Sequence, residues 1–198
     1  MKRWLVAVVT AALVGGCSFT RQEPLVYHVL RDPAAAPAAA APPAESVLLV
    51  AAPSVESFYD TTAIAFSRSE GTRGHYQFAF WTERPGRALQ GLMLARLESA
   101  GLHRAVAPAT SGVAGHLELQ TELRAIYHDA SAPPGFARVR LTASLVDRRQ
   151  QRLLARRTFE RTAAATDYSA AGAVDGFNAA VGGVLDDLVV WLREAPAR

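Results

Sequence analysis

A chain of 198 residues, half of them hydrophobic and a fifth charged, is long enough for one domain with a substantial core and short for two. Its formal charge of +3 includes Lys2 and Arg3; without them about +1 remains, a balance that gives nucleic-acid binding no support. The single cysteine, Cys17, excludes an intrachain disulfide and a zinc cluster of the cysteine type.

Met1, Lys2 and Arg3 precede an apolar run over residues 4–14, which ends at Gly15 and Gly16. Charge, apolar run and small-residue site together predict a secretory signal over residues 1–16; about a dozen apolar residues fall short of the roughly 20 that a membrane-spanning helix needs. The segment Leu13-Val14-Gly15-Gly16-Cys17 resembles the lipobox of bacterial lipoproteins, with Val14 where leucine is commonest. That resemblance implies cleavage before Cys17 and covalent diacylglycerol plus an N-acyl lipid such as palmitate on it. Several acyl chains anchor a protein stably, since each buried methylene contributes about 0.8 kcal/mol. Ser18 stands where an aspartate would favour the inner membrane, so the resemblance points to the periplasmic face of the outer membrane.

Residues 17–46 form the lipidated N-terminus and a tether. An apolar patch, Leu25-Val26-Tyr27-His28-Val29-Leu30, is followed by an Ala/Pro tract over residues 33–43. Such tracts act as semi-rigid spacers of about 3.1 Å per residue, so the tract can hold a domain away from the lipid unless the Tyr27 patch docks back as a strand. The domain is expected over residues 47–194, leaving 195–198 as a tail.

Strands are predicted at Val47 to Val50, at Thr62 to Phe66 and at Tyr76 to Trp81, from short apolar or aromatic runs bounded by turn residues. Leu89, Leu92, Met93, Leu97 and Ala100 then recur at helical spacing, with Pro85 fit for the first turn and Gly101 for the cap. A Gly/Pro/Ser loop over residues 108–115 follows. Leu117, Leu119, Leu123, Ala125 and Tyr127 alternate with polar residues, which predicts one face in a core. Val139, Leu141, Ala143 and Leu145 repeat that pattern, as do Leu153, Ala155 and Phe159, and three one-sided strands in succession predict an antiparallel meander. The chain closes on a helical stripe of Val174, Phe177, Val181, Val184, Leu185, Leu188, Trp191 and Leu192. The expected fold is α+β: one domain, a mainly antiparallel sheet with two amphipathic helices packed on one face, in the order β-β-β-α-β-β-β-α.

The succession Phe58-Tyr59-Asp60-Thr61, Ile64-Ala65-Phe66-Ser67-Arg68, Tyr76-Gln77-Phe78-Ala79-Phe80-Trp81-Thr82-Glu83-Arg84-Pro85, then the Leu-rich helix and Gly101, resembles the ABC-type transport auxiliary lipoproteins, the PqiC-like family. Tyr27-His28-Val29-Leu30 fits the family's tyrosine-leucine entry after the lipidated cysteine. The resemblance implies a non-enzymatic component that works with a periplasmic MCE-domain protein, its permease and its ATPase. Together these move phospholipid or other hydrophobic molecules between membranes. A structural or assembly lipoprotein that binds peptidoglycan or helps an outer-membrane protein mature is the alternative. A lipid held between helix and sheet is a third reading, and self-association is left open.

Candidate partner-binding residues are Tyr59, Asp60, Arg68, Arg73 and Trp81. Tyr59 and Asp60 lie between two strands, where a turn with Asp60 bonding backbone amides is the plainer role. Arg68 and Arg73 can meet an acidic partner or lipid headgroups, or be solvated surface. Trp81 with its aromatic neighbours can form a contact surface, although one alternating set must face the core. His28, His75, His103, His116 and His128 show no ligand spacing, so no metal is expected. No Gly-x-Ser-x-Gly elbow or Gly-x-x-x-x-Gly-Lys loop occurs, and Asp186 and Asp187, adjacent on a helix, diverge onto a solvated face. Catalytic residues and cofactors beyond the covalent lipid are therefore not expected.

Overall fold

Alternating leucines build the longest strand of the molecule, and the rest of the sheet is laid out along it. The computed structural model describes residues 23–33 and 43–195. The signal and Cys17, residues 34–42 of the Ala/Pro tract and residues 196–198 lie outside the described residues. In chain order the strands are β1 (Val26–His28), β2 (Ala44–Val50), β3 (Ser54–Val55), β4 (Ala63–Ser67) and β5 (Gly74–Trp81), with a 3-10 turn at Ser57–Tyr59. Helix α1 (Pro85–Ala100) follows, then β6 (His103–Pro108), β7 (Leu117–Asp129), β8 (Phe136–Asp147), β9 (Arg152–Ala164) and helix α2 (Ala170–Glu194).

The α+β class holds, and β7, β8 and β9 form the expected antiparallel meander. The other edge of β7 takes β2, β3 and β4 in turn, each parallel to it. β2 continues to β6, and β4 continues to β5 and then β1, so the nine strands make one mixed sheet with its longest ladders antiparallel. Three strands go beyond the expected order. β3 is two residues long, and β6, with the sequence His-Arg-Ala-Val-Ala-Pro, is an edge strand with too little apolar content to announce itself.

Both helices contribute to a single core. Leu89, Met93 and Leu97 of α1 and Phe177, Val181, Leu185 and Leu188 of α2 are sealed against Leu48, Leu119, Leu123, Leu141 and Leu145. These side chains fill the layer between helix and sheet where a bound lipid was one expectation. Pro85 opens α1 as predicted, and Gly101 ends it in the left-handed conformation (φ 60°), its N–H donating to the Glu98 carbonyl at 3.1 Å. Ser169 caps α2 by accepting from the Gly172 N–H at 3.1 Å. Asp186 and Asp187 do reach solvent as expected, and each also holds an arginine: Arg96 from α1 and Arg161 from β9.

The Tyr27 patch does dock back. β1 pairs parallel with β5, Tyr27 opposite Phe80, and the Thr82 N–H donates to the His28 carbonyl at 2.9 Å. Beyond it Leu30 is buried, and the Arg31 N–H donates to Asn178 Oδ1 at 2.8 Å. Arg96 Nε donates to Asp32 Oδ2 at 2.7 Å. The packed chain thus begins ahead of the expected start at residue 47, because an apolar strand and an ion pair bring residues 26–33 onto the domain. In chain order the Ala/Pro tract therefore follows one docked segment, β1, and precedes another, β2.

One irregularity changes which residues face out. Leu123 lies opposite Leu141, but Ala125 lies opposite Arg140, so β7 carries an extra residue at Arg124. Past this bulge the phase reverses: Ile126 and His128 turn inward and Tyr127, expected in the core, turns outward. His128 is fully buried, its Nε2–H donating to the Pro134 carbonyl at 3.1 Å and its Nδ1 accepting from the Tyr76 hydroxyl at 2.7 Å.

Burial lowers the His128 pKa from its ordinary 6.5, with the Pro134 carbonyl and Asp129 opposing this only in part. Burial and then His116 lower His103 in the same way. Both imidazoles stay neutral in the fold while the unfolded chain takes up protons, so their contribution to stability is complete above about pH 6.5 and is lost as pH falls below it. Urea midpoints are expected to be level from about pH 8 to 7 and to fall between about pH 6.5 and 5. A level profile through that lower range would count against the neutral, buried histidines.

Candidate functional site

Because Tyr127 and Arg138 are cross-strand partners, they lie side by side on the sheet past the bulge. The turn between β4 and β5 lowers Arg73 over them. Its guanidinium carbon sits 3.8 Å from the centre of the Tyr127 ring, a stacked cation–π contact. Arg73 Nε donates to the Tyr59 hydroxyl at 3.1 Å and Nη1 to the Thr72 carbonyl at 2.6 Å. Burial pulls the Arg73 pKa down, but its hydrogen bond to Tyr59, then the electrostatic interactions with Tyr59, Tyr127 and Asp129, outweigh it, so the cation is held above its ordinary value.

Two adjoining hollows, about 260 and 330 Å³, share Arg73, Tyr127 and Arg138 as a common wall. Arg140 and Arg124 border the first hollow, and Ser69 and Ser131 the second. Most of these cations are committed: Arg138 to Asp129 at 2.9 Å, Arg140 to Glu160 at 2.9 Å, and Arg124 to Glu56 at 3.5 Å. Arg73 differs, since among the described residues no carboxylate comes within ion-pair distance of it. A guanidinium fixed by a ring and a phenol, with Asp129 nearby but no direct ion pair, is suited to take a carboxylate or phosphate oxygen from outside.

Of the residues singled out in the sequence, Tyr59 and Arg73 come together here. Tyr59 is buried with its hydroxyl at the hollow. Asp60 lies outside it and accepts from Arg84 Nη1 at 3.2 Å, in place of the expected bonds to backbone amides. Arg68 lies over the Phe66 ring at 5.1 Å and borders a different, apolar groove. Trp81 is only 2% exposed and meets Phe177 edge-on at 5.4 Å, so its ring belongs to the core. Tyr127 and Arg138 were missed; their pairing depends on the bulge, which leaves no mark in the local sequence. Among the described residues no group of three or more His, Cys, Asp or Glu side chains converges on a metal position. No described helix is long and apolar enough to cross a membrane.

The hollows around Arg73 mix arginines with the carboxylates of Glu56, Glu160, Glu70 and Asp129 on one α+β domain. Residues 28–189 match the family described as ABC-type transport auxiliary lipoprotein component, and the chain belongs to that family. Solved structures repeat its architecture. Protein XCC0632 from Xanthomonas campestris, of family DUF330, is 24% identical, aligns over 86% of this chain and 93% of its own, and superposes with a TM-score of 0.72. An uncharacterized protein of known crystal structure is 13% identical over 86% of this chain and 99% of its own, with a TM-score of 0.68. At such identities the likeness is one of fold. No curated protein matches the chain.

Proposed function

We propose that this protein is the anchored docking component of an MCE-type ABC transport system, which moves phospholipid or other hydrophobic molecules between two membranes. It carries diacylglycerol and an N-acyl chain on Cys17 at the periplasmic face of the outer membrane, and it grips a periplasmic MCE-domain protein without catalysis. The observation that carries this reading is Arg73, a stacked and hydrogen-bonded cation in a recess, with no direct ion pair among the described residues. It is suited to an acidic side chain or chain terminus of the partner. Family membership supports the transport context, and the energy of ATP enters through the permease and ATPase.

Replacing Arg73 by glutamate removes the cation and repels an acidic group, while the side chain lies outside the core. Loss of one charge-assisted hydrogen bond, about 1.5 kcal/mol, corresponds to about a tenfold drop in affinity. After gentle crosslinking and detergent extraction, the native protein is expected to co-purify with an MCE-domain protein and the Arg73→Glu variant to recover about a tenth as much, with unchanged thermal unfolding. Recovery of the native lipoprotein alone would overturn the transport assignment. Equal recovery with the variant would move the contact elsewhere on the surface.

A further inference from the structure

The end of the domain nearest the anchor is an apolar edge. Leu25, Val26, Tyr27 and Val29 are 56%, 45%, 59% and 46% exposed, in a stretch where only His28 interrupts large apolar side chains. β1 is the terminal strand of the sheet, so these side chains crowd a rim. A groove of about 630 Å³ runs beside them, with Pro24, Val26, Phe78 and Ala170 among its apolar walls and Arg68 and His75 among its polar ones. Scattered exposed leucines need no explanation, but a contiguous apolar rim marks a contact.

Covalent geometry limits what that rim can touch. From Cys17 to Glu23 the chain takes six steps, a reach of about 20 Å when fully extended. The rim cannot pivot freely on the domain either. β1 is hydrogen-bonded to β5, and the residues after it are held by Asn178 and Arg96. Tyr27, lying against Phe80 at 5.7 Å with its other side exposed, has the amphipathic character that places tyrosine at membrane–water boundaries. Arg68 and His75, which share the groove with Glu23, offer cationic or hydrogen-bonding groups to lipid headgroups.

We propose that the β1 edge, with Leu25, Val26, Tyr27 and Val29, is the face the domain rests on the phospholipid surface that holds its acyl anchor. The proposal builds on lipidation of Cys17. It gives the domain a fixed orientation, and the hollows around Arg73 share no lining residue with the groove beside β1.

Cys17 is consumed by lipid, so an engineered cysteine is the sole reactive thiol. Leu25→Cys, Val29→Cys and, as a reference on β9 at the far end of the sheet, Arg152→Cys are made in the full acylated protein. Each is labelled with the environment-sensitive dye NBD and reconstituted into phosphatidylethanolamine/phosphatidylglycerol vesicles. The labels at positions 25 and 29 are expected to shift to the blue and to be quenched several-fold more by doxyl-labelled lipid than the label at 152. Acylated protein whose labels at 25 and 29 stay as wet as the one at 152 overturns the membrane face and leaves the anchor intact. Labels that are shielded but insensitive to doxyl lipid report a contact with another copy, and also overturn it. Protein that stays in the aqueous phase of Triton X-114 overturns the anchor and the face together.

Discussion

Replacing Arg96 by alanine is expected to lower the unfolding free energy by about 3–5 kcal/mol, the usual loss when one partner of a buried ion pair is removed. The Arg96 side chain is 1% exposed and sits on α1 between two carboxylates, Asp32 from the N-terminal segment and Asp186 from α2. Burial alone would lower its pKa; the hydrogen bonds and charges of the two aspartates more than reverse that. Without the guanidinium, Asp32, only 11% exposed, loses its ion pair with Arg96. The two helices also lose their polar tie. Arg96→Met keeps the aliphatic stem and is expected to recover only part of the loss. The double variant Arg96→Met with Asp32→Leu is expected to regain most of it, since a buried pair replaced on both sides by apolar groups no longer carries a desolvation cost. Urea unfolding decides this, and an Arg96→Ala midpoint equal to that of the native chain would refute the tie.

The second large effect is expected at Gly135, in the loop between β7 and β8. Its φ of +86° disfavours any side chain, and an added Cβ would lie 2.7 Å from the Asp129 carbonyl oxygen and closer still to His128 Nε2. His128 cannot retreat, because both ring nitrogens are engaged and the ring is fully enclosed. Backbone strain and the displaced imidazole together are expected to cost about 3 kcal/mol, which for a domain of this size lowers the melting temperature by on the order of 10 °C. Differential scanning calorimetry of Gly135→Ala tests it. A shift within a degree or two would mean that the loop and the ring can move, contrary to the packing.

Much of the framework was legible because its elements are strongly periodic. Leu117, Leu119 and Leu123 repeat at a spacing of two and Phe177, Val181, Leu185 and Leu188 at helical spacing, while Pro85 and Gly101 bracket α1 as their stereochemistry requires. Elements made by the tertiary structure alone were not legible. β3 exists because Ser54 and Val55 pass alongside Glu122 and Leu123, and β6 because β2 offers it an edge. Arg96 is a charged residue on a helix, ordinarily a sign of solvent, and only the meeting of three distant segments makes it a core residue. The site followed the same division. Tyr59 and Arg73 were picked out, but Tyr127 stood in phase with the core leucines until the extra residue at Arg124 turned it round, and Arg138 reached the recess only as its ladder partner.

The strap from β1 to Asp32 also has a mechanical meaning. With the front end tethered as proposed above, a tug between bilayer and partner would travel along the polypeptide from that end. Among the described residues the first element it would meet is a strand fastened to β5, followed by a charged clasp on both helices. Force would thereby be handed to the helical layer at one corner of the molecule, before it can reach the meander. Under the docking role proposed above, the recess around Arg73 would be spared that load.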